Sequence, residues 1–86
     1  MKYKVRIENQ ATKALEKLEL GTRRRIAEVI RSLATDPRPP GSKKMKNREG
    51  WRIRVGDYRV IYGITEEELL ILVAKISRRG DVYRRS

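Results

Sequence analysis

Apolar and basic residues alternate over residues 2–7, with Tyr3, Val5 and Ile7 on one side and Lys2, Lys4 and Arg6 on the other. Successive side chains of a strand point to opposite faces, so this is the signature of a half-buried strand. Its exposed lysines discourage edge-to-edge association and place it at or near the edge of a sheet. The period then changes. Ala11, Ala14, Leu15 and Leu18 recur at helical spacing behind Asn9, which is suited to cap a first helix, and Gly21 reads as its end. Thr22 reads as the cap of a second helix whose buried stripe is Ile26, Val29, Ile30 and Leu33. Arg23, Arg24 and Arg25 then fall in its first turn, against the macrodipole. They read mainly as a solvated face, with contact to an anionic partner as the alternative. The run Asp36-Pro37-Arg38-Pro39-Pro40-Gly41 stops that helix, since proline lacks a donor N–H and turns the preceding residue away from helical geometry.

Two further alternating runs, Trp51-Arg52-Ile53-Arg54-Val55 and Tyr58-Arg59-Val60-Ile61-Tyr62, flank Gly56-Asp57. Glycine at the first central position suits a two-residue type II′ turn, and such a turn fixes the register of a β-hairpin. Val55 then faces Tyr58, Arg54 faces Arg59, Ile53 faces Val60 and Arg52 faces Ile61. One face carries Trp51, Ile53, Val55, Tyr58, Val60 and Tyr62 as core; the other carries Arg52, Arg54 and Arg59. After a turn at Thr65-Glu66-Glu67-Glu68, the apolar run Leu69-Leu70-Ile71-Leu72-Val73-Ala74 suits a strand at the sheet centre, buried on both faces. The order β-α-α-β-β-β predicts a single α+β domain over residues 1–86. The N-terminal strand and a two-helix hairpin pack on one face of a mostly antiparallel sheet of about four strands, followed by a short basic C-terminal segment. The other face of the sheet is left open.

Charge sharpens this picture. The 86 residues include 22 Lys+Arg against 11 Asp+Glu, a net charge of +11, which points to a polyanionic partner. The excess is local: residues 37–59 carry 8 basic and 2 acidic side chains and residues 75–86 carry 5 and 1, whereas residues 60–74 carry 0 and 3. Lys43, Lys44, Lys46 and Arg48 lead into Trp51 and lie near the rim of the arginine face, either as a solubilising loop or as contacts to backbone phosphates. With no Cys and no His, neither a disulfide framework nor the usual zinc ligands are available, and no cofactor is expected. No apolar run approaches the ~18–20 residues of a membrane span, and the N-terminus lacks the apolar core of a signal peptide. The expected setting is cytoplasmic, with no membrane contact.

Like charges directly opposite each other across two strands destabilise the pair by roughly 0.2–1 kcal/mol, so packing does not explain Arg54 facing Arg59. The arginine face reads as an anion site in preference to a solvated outer surface. Planar guanidinium groups bind phosphate oxygens in bidentate fashion, and the opposite face already supplies the core.

On these residues the sequence resembles the RelE/ParE superfamily, the toxin components of bacterial and archaeal toxin–antitoxin pairs. The resemblance covers essentially the whole chain: the N-terminal strand and helical hairpin, the stretch from Trp51 to Tyr62, and the ending Ile76-Ser77-Arg78-Arg79-Gly80-Asp81-Val82-Tyr83-Arg84. It implies that a RelE-like member enters the ribosomal A site and cleaves translated messenger RNA, whereas a ParE-like member inhibits DNA gyrase without being a nuclease. The C-terminal Arg and Tyr favour the RelE-like branch. The active site implied is Arg52, Arg54, Arg59, Arg79 and Tyr83, with Arg78 as the alternative to Arg79. Lys43, Lys44, Lys46, Arg48, Arg78, Arg84 and Arg85 are the implied RNA or ribosome contacts. The implied partners are a cognate acidic antitoxin that folds on binding, and the ribosome with its messenger RNA; the chain is then a monomer or half of a toxin–antitoxin heteromer.

Attack of a 2′-hydroxyl on the adjacent phosphate needs a proton removed, the phosphorane charge stabilised and the leaving 5′-oxygen protonated. Where several members of the superfamily have lysines, this sequence has Arg52 and Arg54, and arginine, with a pKa above about 12, does not serve as a base. Tyr83 is then the remaining proton-transfer group, its phenolate favoured by neighbouring arginines. Arg52, Arg54, Arg59 and Arg79 would orient the phosphate and stabilise its charge. A simple basic RNA- or DNA-binding module is the third reading.

Overall fold

The structure, a computed structural model, describes residues 2–46 and 49–78. Its elements in chain order are β1 Lys4–Ile7, α1 Asn9–Glu16, α2 Leu20–Ser32, β2 Lys43–Lys44, β3 Trp51–Val55, β4 Tyr58–Thr65 and β5 Leu70–Arg78. The strands form one sheet in the order β1-β5-β4-β3-β2. Short connections impose antiparallel pairing from β2 through β5, while the two helices separate β1 from the rest and deliver it to the far edge, parallel to β5. The sheet has five strands where about four were expected. The addition is the two-residue β2, which pairs Lys43 with Arg52 and Lys44 with Trp51 and whose loop is closed by Met45 N–H donating to the Gly50 carbonyl at 3.0 Å. Two lysines offer no hydrophobic alternation to announce a strand.

The helix boundaries also move. Glu8 and Glu19 precede α1 and α2 in extended geometry, with no side-chain capping bond from either. Asn9, Gly21 and Thr22 therefore lie inside helices, and Gly21 is not a stop. The stripe itself is as predicted: Ala11, Ile26, Ile30 and Leu33 are buried against Ile53, Val55, Val60, Tyr62, Ile71, Val73 and Ile76. Each fully buried aliphatic side chain contributes about 1.5–3 kcal/mol of transfer free energy. Trp51 and Tyr58 are half-buried at the margin of this core. Ile7, expected among the buried positions, is 36% exposed because it sits at the end of the edge strand.

The proline-rich linker is strapped to the sheet. Tyr62, 1% exposed, donates its hydroxyl to the Pro37 carbonyl at 2.7 Å, and burial pushes its phenol above the ordinary tyrosine range. Arg38 pairs with Glu66, lies over the Trp51 ring with its guanidinium 5.3 Å from the centroid, and shares Glu66 with the Tyr3 hydroxyl. Arg38 first and Tyr3 second hold the Glu66 carboxyl below its usual value.

β5 is an interior strand, between the edge strand β1 and the central β4 and so not itself at the centre, and only its helix side is fully buried; Leu70 and Leu72 are half-buried on the other. Leu69 lies outside the strand, in the preceding turn at φ 51. The β4–β5 ladder slips between Ile61 and Tyr62: Ile61 faces Lys75 and Tyr62 faces Val73, leaving Ala74 as the extra residue of a bulge. The Ala74 carbonyl accepts from Gln10 Nε2 at 2.9 Å. Among the described residues, no helix is long and apolar enough to cross a membrane.

Candidate functional site on the open face of the sheet

The β3–β4 hairpin sets the site. Gly56 has φ 61 while Asp57 is not among the positive-φ residues, the geometry of a type II′ turn. The register is the predicted one, Arg54 opposite Arg59 and Arg52 opposite Ile61. Since Ile53, Val55 and Val60 point to the helices, alternation turns Arg52, Arg54 and Arg59 to the open face. Cross-strand partners extend that face to Ile61 and Gly63 of β4, Leu72, Lys75 and Ser77 of β5, Arg6 and Lys4 of β1 and Lys43 of β2. No strand contains an Asp or Glu. Among the described residues the one ion pair is Arg38 with Glu66, so no carboxylate is paired with this array.

The three arginines are not equivalent. Arg59 sits on β4 between Arg54 and Ser77, is 7% exposed, and its Nε has no hydrogen-bond partner among the described residues. A buried polar group without a partner costs about 1–3 kcal/mol, more when charged. An anion placed over the face supplies the missing acceptor. Arg52 is half-buried and Arg54 exposed, so the cluster grades from a fixed guanidinium to a free one.

The basic approach divides. Lys43, opposite Arg52, joins the arginine face and borders a cleft of about 330 Å³ with Pro40, Gly41, Arg52 and Arg54. Lys44, opposite Trp51, takes the helix side at the sheet edge, and Lys46 is exposed in the loop. Arg78 pairs with Tyr58, on the helix side, because cross-strand partners share a face. It does not join Arg59, so within the described strand it is no substitute for Arg79. Arg48, Arg79, Tyr83, Arg84 and Arg85 lie outside the described residues. Lys75 was not singled out from the sequence. Strict alternation from Ile71 and Val73 would send it toward the helices, and the bulge at Ala74 turns it outward.

The family described as the ParE toxin of type II toxin–antitoxin systems, parDE, matches residues 5–83. The putative toxin RelE1 of Methanocaldococcus jannaschii is 32% identical over 88 residues, covering 98% of this chain and 98% of the relative. Toxin RelG of Mycobacterium tuberculosis is 29% identical, covering 99% of this chain and all of its own (100%). Among solved structures, the archaeal RelE–RelB complex from Pyrococcus horikoshii contains a chain 34% identical with a TM-score of 0.84, over 93% of this chain and 98% of that one. The RelBE2 toxin–antitoxin complex of Mycobacterium tuberculosis gives 25% identity and a TM-score of 0.79, over 92% and 100%. The two-helix layer, the arginine-bearing hairpin and these likenesses over nearly the full length lead to one assignment: the chain belongs to the RelE/ParE toxin superfamily, on its RelE-like branch.

Proposed function

We propose that this protein is a ribosome-dependent messenger RNA endonuclease, the toxin of a toxin–antitoxin pair. The observation that carries the reading is Arg59, a guanidinium buried in the middle of an otherwise basic sheet face with Arg54 directly across from it and Nε unpartnered. In this reading Arg52, Arg54, Arg59 and Arg79 hold the scissile phosphate and stabilise the charge of the phosphorane, and Tyr83 transfers the proton. Lys43, Lys44, Lys46, Arg48, Arg84 and Arg85 contact the RNA backbone or ribosome, where phosphate contacts position the chain without reading sequence. The chain works in the cytoplasm, where translated messages are found. An acidic antitoxin segment silences it by folding over the basic face; the similar chains from Pyrococcus horikoshii and Mycobacterium tuberculosis are both found in toxin–antitoxin complexes.

The test is induction of the chain in growing cells with mapping of messenger 5′ ends. Translation arrest with cuts inside ribosome-bound codons is expected, and Arg59→Ala or Tyr83→Phe relieves both. Arrest with intact messages and DNA-damage signalling would sink the nuclease reading. It would favour the second reading, inhibition of DNA gyrase, to which the ParE description of the matching family points.

A further inference from the structure

One feature of the open face is not used by the arginine cluster. Gly63 lies in the interior of β4, directly opposite Leu72 of β5 and two residues beyond Ile61, and a Cβ built on it meets none of the described residues within 4 Å. Glycine weakens a strand, and in a strand interior it marks a bulge, such as the one that adjoins it here, or a place where a ligand or another backbone approaches closely. Here it lies between the half-buried side chains of Ile61 and Leu72, which makes a shallow apolar floor. Cations stand around that floor. Arg52 and Lys75 flank Ile61 on its two neighbouring strands, and Arg6 lies across from Leu72 on the β1 side. A cleft of about 610 Å³ adjoins Leu72 and Arg6, bordered by Glu8, Asn9 and Gln10.

We propose that this floor is the seat of one unpaired RNA nucleotide next to the cleavage site, its base lying over Gly63 between Ile61 and Leu72 and its flanking phosphates held by Lys75 and Arg6. An apolar floor with a gap at its centre takes the flat face of a base, while a rim of cations takes the backbone on either side. The strand crosses the sheet from the Arg54–Arg59 row toward β1 and does not run along the strands. A paired duplex would hide the base face from this floor, which favours single-stranded RNA. The inference rests on the reading that this face handles RNA.

The probe is a fluorescently labelled eight-nucleotide RNA with 2′-O-methyl sugars, which cannot be cut by attack of the 2′-oxygen, titrated against the full chain over a range of salt. Gly63→Glu, which puts a carboxylate into the open space, is expected to weaken binding at least tenfold. Lys75→Ala and Arg6→Ala are each expected to lower the slope of log affinity against log salt by about 0.7, the value for one phosphate contact in a single strand. Both are surface positions, so they carry the test if Gly63→Glu fails to fold. Unchanged affinity and slope in these variants overturns the seat. So does a loss confined to an acidic poly-glutamate peptide, which would assign the floor to a protein partner. Messenger cutting on ribosomes by the same variants separates the two readings. Cutting abolished only by Arg59→Ala keeps the nuclease and removes the seat; RNA binding that depends on Gly63, Lys75 and Arg6 without any cutting removes the nuclease and keeps the seat.

Discussion

The two sides of this sheet are made from alternate residues of the same strands, yet they obey different rules. Toward the helices, Val60, Tyr62, Ile71 and Val73 are almost wholly excluded from water, and the one hydroxyl among them has found the Pro37 carbonyl. Away from the helices, Arg54 faces Arg59 and Arg59 is buried with an unsatisfied Nε. The first side is satisfied by the chain itself. The second is left incomplete by the described residues, and in the proposed function an RNA phosphate completes it. Stability and binding are thus assigned to opposite parities of one backbone, and substitutions on the two sides should have opposite signatures.

The largest effect belongs to the core. Ile71→Ala should lower the unfolding free energy by about 2–5 kcal/mol, the usual range for truncating a buried aliphatic residue, read as a fall in the urea midpoint with little change in the slope. A loss under about 1 kcal/mol would mean that β5 is not at the centre of the core. Next comes Arg59→Leu, which should do the reverse: stability rises by about 1–3 kcal/mol as an unsatisfied buried group disappears, while message cleavage is lost. For a domain of this size each kcal/mol moves the melting temperature by about 4–8 °C, so a variant that melts lower than the parent contradicts the account of Arg59. Arg54→Glu should sharpen the comparison more gently. An opposite-charge pair with Arg59 replaces a like-charge one, worth roughly 0.2–1 kcal/mol, and the gain should shrink in high salt while RNA affinity collapses. The smallest effect is at the Arg38–Glu66 strap. Because the Glu66 carboxyl is held below its usual value by Arg38 and Tyr3, its contribution is present above the unfolded carboxylate value and is lost as acid takes the pH down through the lower folded value. Glu66→Gln should flatten that acid limb of the stability curve. Both partners are exposed, so the change is small.

Much of this contrast is legible in the sequence. The hairpin could be read to the residue because a two-residue turn with glycine at its first central position leaves a single register, and period-2 alternation then assigns each side chain to a face. The helix stripe from Ile26 to Leu33 was equally plain. What escaped depends on neighbours the sequence does not place side by side. Gly21 looks like a stop, but the chain before it had already turned, and α2 begins at Leu20. Arg59 and Arg54 are indistinguishable in the sequence, whereas in the sheet one is buried between two strands and the other is exposed. Arg78 and Lys75 depend on the phase of β5, which no local pattern reveals. The Arg38 strap joins residues from four separate stretches, and no short-range signal encodes it.

The bulge at Ala74 carries a further consequence. Counted from Ile71 and Val73, strict alternation would send Lys75 toward the helices and Ile76 and Arg78 to the open face; the extra residue inverts this. The bulge therefore sets the charge of the open face as surely as the identity of its side chains does. Drawing Ala74 into a regular ladder would keep every amino acid and yet exchange a lysine for an isoleucine on the sheet surface, turning the charge toward the core, whereas deleting Ala74 would remove the bulge and leave Lys75 outside and Ile76 inside. Gln10, which donates to the Ala74 carbonyl, ties the bulge to α1.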